Sequence, residues 1–441
     1  MELHDGLKQL IRYGYEPAPG TPGVYFPASE KELDLEKVIT MDEIPVLYPI
    51  AGEPHGFYKL QDEGLYFHHD LLKSIFHLLS GYEEVKRGTR DEYGRFPYAE
   101  SLQCKLGIPD KPVVNYYMEI IMDGLRKFCE KKGIPFQRKT VFKKPVLMLS
   151  HDVDLVDAYD FKETAYKFKQ LLGLAESPYT FRGKAADAFT ALYHFLNPFS
   201  RTNPFWSFPE LMEWEAARAF HSTYFLLEKD GNYDNSRYRF HQRRIRKLIR
   251  DLSAGGHEIG IHGTMQSWDD PEAMKRTLEH LRAVSPEPVT GIRQHYLRFK
   301  PGITARIQAG AGLVYDASLG FSENEGFRSS YCWPFKFFDF ESQQVLDFWE
   351  IPLTLMDVTH FLKRGLDLEQ SRESVRALSS EVVKFNGVFS LLWHNSFFNE
   401  REFPGITDHY IWILDHLKSL GIDGLTGREI ISRMNGESAS L

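Results

Sequence analysis

Apolar residues recur along the chain in two rhythms. Up to about residue 135 they mark a short strand, "IPVLYPI", and two amphipathic helices. In "HHDLLKSIFHLLSGYEEV" the helical period puts Leu71, Leu72, Ile75, Phe76 and Leu79 on one face, with Asp70 as N-cap. The second helix, "VVNYYMEIIMDGLRKFCEKKG", ends at a glycine. From Pro145 onward short apolar runs alternate with polar-faced helices such as "RFHQRRIRKLIRDLSAGG", the pattern of a parallel α/β sheet or barrel. The runs predict strands over 146–150, 222–227, 257–262, 289–293, 312–316, 347–352 and 388–393, and an eighth near "IDGLT". The stretch between the first two is too long for a bare loop and reads as a helical insertion near 156–205. The expected organisation is a mixed α/β domain over 1–135, with no role assigned, followed by an α/β domain over 136–441.

Several of the predicted strands end in ionisable side chains. "PVLMLSHDVDLV" runs into His151, Asp152 and Asp154; later strands end at His262, Arg293, Asp316 and His394. Sites in parallel α/β folds are built at the carboxyl ends of strands, so this recurrence implies one shared pocket. Each motif alone is ambiguous. Aspartates after a strand commonly cap a turn or helix, and a D-x-D also holds the divalent ion of some glycosyltransferases. In "GHEIGIHGTMQSW" strand alternation turns His257 and His262 to opposite faces, which leaves His262 as the site candidate and His257 as a packing or hydrogen-bonding residue.

The 441 residues, 42% hydrophobic and 26% charged, have the balance of a globular protein, and a net charge of −8 argues against nucleic acid or an anionic membrane as the main partner. No apolar run is long enough to span a membrane. The opening "MELHDGLKQLIRYGYEP" has no signal-peptide pattern, and Cys104, Cys129 and Cys332 are too few and too scattered for a disulfide framework or a metal motif. A cytoplasmic location is therefore expected.

In order, "HDVD", "HGTMQ", "GIRQHYLRF", the looser "YDASLGFSENEGFRSSYCWPF" and "VFSLLWHNSFF" resemble the motifs of the polysaccharide deacetylase (NodB-like, carbohydrate esterase 4) superfamily across roughly residues 145 to 432. The resemblance implies a distorted (β/α)7 NodB-like barrel that removes acetyl groups from sugars with a divalent metal, usually zinc. It implies Asp152 as general base, Asp154 and His262 as metal ligands, Arg293 as the residue orienting Asp152, Tyr296 as a backbone donor to the oxyanion, Leu392 as a wall of the acetyl pocket and His394 as general acid. The family's second metal-binding histidine falls at Gln266, whose amide oxygen is a poor zinc ligand. His151, His295, or Ser267 through a water, are the candidates to replace it. His151, His295 and Asn395 are also expected in the pocket, and Asp316 is expected either to tune the catalytic histidine or merely to end its strand. Trp333, Phe335 and Phe337 wall the pocket or belong to the core. The expected partner is an acetylated sugar. Two other readings stand beside this one: a non-catalytic carbohydrate-binding relative, favoured by Gln266, and a metal-dependent D-x-D glycosyltransferase.

Overall fold

The computed structural model describes residues 8–14, 22–50, 56–61, 63–159, 161–176, 180–197, 203–230, 236–400 and 402–436. In its N-terminal part, strands β1 (Ile11–Tyr13), β2 (Gly23–Phe26), β5 (Tyr58–Gln61) and β6 (Gly64–Phe67) form a sheet in the order β1-β2-β6-β5, and β3 (Ile39–Met41) pairs with β4 (Ile44–Val46) as a separate hairpin. Helices Leu71–Leu79 and Val113–Lys132 share one apolar core with these strands. The Asp70 carboxylate caps the first helix by accepting from the Lys73 N–H at 2.9 Å, as its position predicts. The buried stripe is rotated from the predicted one: Leu71, Ser74, Ile75 and Leu78 face inward, while Phe76 sits edge-on against Phe338, ring centroids 5.0 Å apart.

The second part is built on one curled sheet. Its parallel strands are β7 (Val146–Val153), β8 (Ser222–Leu226), β9 (Glu258–Gly263), β10 (Gly291–Gln294), β11 (Tyr315–Asp316), β13 (Gln344–Glu350), β14 (Leu355–Met356) and β15 (Val388–Leu392). The order is β12-β13-β11-β10-β9-β8-β7-β15-β14, with β12 (Phe335–Asp339) antiparallel to β13. A two-residue strand, β16 (Asp423–Gly424), pairs with the start of β7. The path ends at β12 and β14 without closing, so the sheet curls into an incomplete barrel. At the amino-terminal end of the strands, helix Gly427–Met434 plugs the interior: the Glu258 carboxylate accepts from the Arg428 N–H and Thr223 Oγ1 accepts from the Gly427 N–H. An acceptor at a helix N-terminus satisfies donors that the helix itself cannot. Two helices, Phe161–Leu171 and Phe181–Leu196, fill the predicted insertion. Among the described residues, no helix is long and apolar enough to cross a membrane.

Three sequence readings are changed or decided by the structure. The first strand does not stop at residue 150; His151, Asp152 and Val153 remain in β7, paired with Tyr224, Phe225 and Leu226 of β8. Phe335 and Phe337 face the core from the unanticipated strand β12. Asp316 is not a pocket residue: it is fully buried, and its carboxylate accepts from Gln308 Nε2, Ser318 Oγ and the Ser318 N–H, all at 2.8–2.9 Å. Glu350 lies opposite in the register of β11 and β13, accepting from the Leu319 N–H at 2.9 Å.

Burial raises both carboxyl groups above their ordinary range, and Glu350, opposed also by Asp316, is raised most. A carboxyl whose folded pKa lies above its unfolded value holds a proton that the unfolded chain has lost, so its contribution is full below the unfolded pKa and falls as pH rises. Glu350→Gln keeps the shape without the charge. Chemical denaturation as a function of pH is expected to show a shallower loss of stability above about pH 5 in the variant, with the gap in its favour widening toward about pH 8.

Candidate active site at the carboxyl ends of the strands

The last residues of β7, β9 and β10 and the turns after β7, β10, β14 and β15 bring Asp152, Asp154, His262, Arg293, His295, Asp357 and His394 to one rim. Arg293 is the organiser. Wholly buried, its guanidinium donates to Asp152 Oδ1 at 3.0 Å, to Ser150 Oγ at 2.9 Å and, through Nε, to the Ala317 carbonyl at 2.8 Å. Its face lies 4.6 Å over the Phe225 ring. Removing one partner from a buried ion pair strands the other, at a cost of about 3–5 kcal/mol.

His262 Nδ1 lies 2.8 Å from the Arg293 carbonyl, which orients the ring so that Nε2 faces Asp154 Oδ1 at 3.4 Å and Asp152 Oδ2 at 3.7 Å. His295 Nε2 is 3.8 Å from the same Asp154 oxygen. Asp154, His262 and His295 offer ligand atoms that all lie within 4.8 Å of one another. Burial would raise the Asp154 pKa, but His295, His262 and His394 outweigh it and hold the carboxylate far below its usual range. Asp154 Oδ1 is buried with no hydrogen-bond partner. An orphaned carboxylate oxygen facing two imidazoles, one fixed by a backbone carbonyl through its other nitrogen, is a donor set that fits a divalent cation of the zinc class.

Opposite this cluster, His394 Nδ1 is 2.7 Å from Asp357 Oδ1 and its backbone N–H donates to Asp357 Oδ2 at 2.6 Å. Its Nε2 points to Asp154 Oδ2, 3.9 Å away. Burial disfavours the charged ring; Asp357, Asp154 and Asp152 outweigh it and lift the pKa to about 10.

The second imidazole of the cluster comes from His295, just beyond β10, and not from the turn after β9. Gln266 stays on the turn after β9, its backbone carbonyl accepting from the Asp269 and Asp270 N–H groups. His151 is not a pocket residue or a stand-in ligand: it is fully buried, with Nδ1 2.6 Å from the Trp393 carbonyl and Nε2 2.8 Å from Glu215 Oε1, so both nitrogens are committed behind the sheet. Asn395 is likewise structural, its amide donating to the Leu155 and Phe205 carbonyls at 2.8 and 2.6 Å. The partner of His394 is Asp357, which the motif reading missed although it too follows a short apolar run, "LTLM". Leu392 packs with Leu297, Leu353 and Met356 in a small apolar cluster. His257 accepts from the Ser222 N–H at 3.0 Å, and burial lowers its pKa to about 4, so it is a neutral hydrogen-bonding residue.

The turn after β10 is strained and braced. Tyr296 and Leu297 both have positive φ, 60° and 55°, a conformation that L-residues hold only when their surroundings impose it. The N-terminal part supplies those surroundings. Asp91 folds the loop "DEYGRF" by accepting from the N–H groups of Tyr93 and Arg95. Tyr93 then stacks on Tyr296, centroids 5.0 Å apart, and Arg95 donates to the Tyr296 carbonyl at 3.3 Å. Arg298 completes the clamp, donating to the Tyr93 carbonyl at 2.6 Å and to the Met265 carbonyl on the His262 side.

Comparison with known proteins gives two kinds of likeness. Residues 8–130 match a family of unknown function, DUF7033. No curated protein matches the chain. Among solved structures, a protein described as a polysaccharide deacetylase from Mycobacterium smegmatis is 17% identical, with 69% of this chain and 95% of that one covered and a TM-score of 0.44. One so described from Pseudomonas aeruginosa is 14% identical, covering 68% and 93%, also at 0.44. Puue allantoinase is 13% identical, covering 69% and 98%, at 0.43. The chemistry argued below rests on the side chains just described.

His295 and Gln266 separate as third ligand by metal content. After loading with zinc and desalting, His295→Ala is expected to lose bound metal, its affinity falling by 10-fold or more on the scale of ligand loss, roughly. Gln266→Ala is expected to retain it, as read by atomic absorption.

Proposed function

We propose that the protein is a metal-dependent deacetylase that hydrolyses an acetyl amide or ester on a carbohydrate. The observation that carries this reading is the placement of a carboxylate held by a buried arginine and an imidazole held by a buried carboxylate on either side of one cation-binding cluster. Hydrolysis of an unactivated acyl group needs a base and an acid with different proton affinities in one pocket, and these two pairs meet that need.

Asp154, His262 and His295 are the residues that would hold the ion. A bound divalent ion supplies Lewis-acid polarisation of a carbonyl and brings the pKa of water to about 7. Asp152, its rotamer fixed by Arg293, takes the proton of the attacking water. His394, kept charged by Asp357, delivers a proton to the departing amine or alkoxide. The backbone amide of Tyr296, in its left-handed turn, is the candidate donor to the oxyanion, and the Leu297, Leu353, Met356 and Leu392 cluster is the candidate acetyl wall. The N-terminal part has a role in this reading as the brace that holds the Tyr296 turn. The binding-module alternative draws its support from Gln266; the His295 imidazole beside Asp154 and His262 favours the enzyme reading. The glycosyltransferase alternative leaves the Asp357–His394 pair without a task.

Acetate release from N- and O-acetylated sugars is the direct test. Asp152→Asn is expected to lower kcat by about 10²- to 10⁴-fold with metal content unchanged; equal rates would contradict the base assignment. Arg95→Ala is expected to lower kcat by roughly 10-fold at unchanged metal content, since a displaced catalytic donor costs rate before binding.

A further inference from the structure

The helical insertion is built inside out. In the pair Phe161–Leu171 and Phe181–Leu196, the buried positions are Thr164, Gln170, Ala188, Ala191 and His194. The large apolar side chains point the other way: Phe161, Leu172, Leu174, Phe181, Phe189 and Leu196 are each 62–74% exposed. Half of the exposed large apolar side chains among the described residues fall between residues 161 and 196. They are arrayed, not scattered. Arg182, Phe189, Tyr193 and Leu196 recur at helical spacing on the outer face of the second helix, as Lys162, Tyr166 and Lys169 do on the first.

Two further features identify what covers this face. Its charge runs against that of the chain: residues 161–197 carry Lys162, Lys167, Lys169, Arg182 and Lys184 against Glu163, Glu176 and Asp187, in a protein of net charge −8. Lys162, Lys169 and Arg182 are exposed beside the aromatic residues, whereas Lys167 pairs with Glu163 at 3.6 Å. Aromatic and leucine side chains interleaved with cations on one helical face are the composition that settles into an anionic lipid interface without spanning it. The base of the hairpin also lines a cleft of about 190 Å³ shared with Leu155, next to Asp154, and Asn399, just beyond His394. The hairpin is thus rooted beside the segment that follows Asp154.

We infer that this helical hairpin is an interfacial anchor that binds an anionic bilayer surface and so holds the chain at a membrane. The chain then takes substrates presented at a membrane, with the cations set against lipid phosphates and the aromatic rings in the headgroup region. The inference stands independently of the proposed acetyl chemistry, because lipid binding is read without turnover.

Sedimentation of the full-length protein with phosphatidylcholine vesicles, with and without phosphatidylglycerol, tests it. Binding is expected to the anionic vesicles and to be much weaker to phosphatidylcholine alone. Phe189→Glu with Leu196→Glu is expected to weaken binding by at least roughly 10-fold, and so is Lys162→Glu with Lys169→Glu. All four positions are solvent-exposed, and unchanged circular dichroism and thermal melting serve as the folding check. Val345→Glu, at an equally exposed apolar position on β13, is expected to bind like the wild type. No pelleting with either vesicle, or pelleting unaffected by the hairpin substitutions, overturns the inference. So does a wild-type dimer in analytical ultracentrifugation that Phe189→Glu dissociates, since the face would then be covered by a second copy.

Discussion

A single buried cation sets the geometry of the candidate site. Arg293 extends from β10 across the sheet to Ser150 and Asp152 on β7 and to the Ala317 carbonyl after β11, while its own carbonyl fixes the His262 ring on β9. A guanidinium taken wholly out of water is costly unless its donors are satisfied and its charge is met. Here one carboxylate meets the charge and is held in a single orientation in return, while Nε and Nη1 find acceptors and Nη2 does not. The parallel sheet makes this possible, because its strands end in register at one rim where polar side chains from sequence-distant segments converge.

The second organising feature is that the rim is not self-supporting. The turn carrying Tyr296 holds two consecutive residues in left-handed backbone conformation, and the contacts that impose it come from a loop some 200 residues earlier in the chain, through Tyr93 and Arg95. Docking between the two parts is extensive and specific: Arg328 donates to Glu84, Gln103 to Ser330 Oγ, and Asn115 Oδ1 accepts from the Cys332 N–H. The segment matching a family of unknown function is thus physically continuous with the candidate site. The inside-out hairpin is rooted beside the segment that follows Asp154 and turns its apolar surface outward.

Much of this was legible in the sequence, for identifiable reasons. The fold announced itself because buried parallel strands need uninterrupted apolar runs, and Asp152, Asp154, His262, Arg293 and His394, each standing where such a run stops, do meet at one rim. The same rule misled at Asp316, Asn395 and His151. A polar residue at a strand end can equally turn inward and saturate its hydrogen bonds, and only packing decides between the two. Asp357 escaped because its strand is two residues long, too short for periodicity to register. His295 was seen as a candidate but could not be ranked above His151, since the choice depends on which imidazole has its nitrogens committed elsewhere. The displaced stripe of helix Leu71–Leu79 has a similar cause: Phe76 finds aromatic partners on β12, a strand that the apolar pattern did not reveal.

The central claim is that Asp154, His262 and His295 form one cation site beside Asp152 and His394. Crystals loaded with zinc and measured on both sides of the zinc absorption edge test it most directly. The account predicts an anomalous peak at about 2.0–2.2 Å from a carboxylate oxygen of Asp154 and from Nε2 of both histidines. A peak coordinated by Gln266 in place of His295, or no peak at this rim, would contradict it.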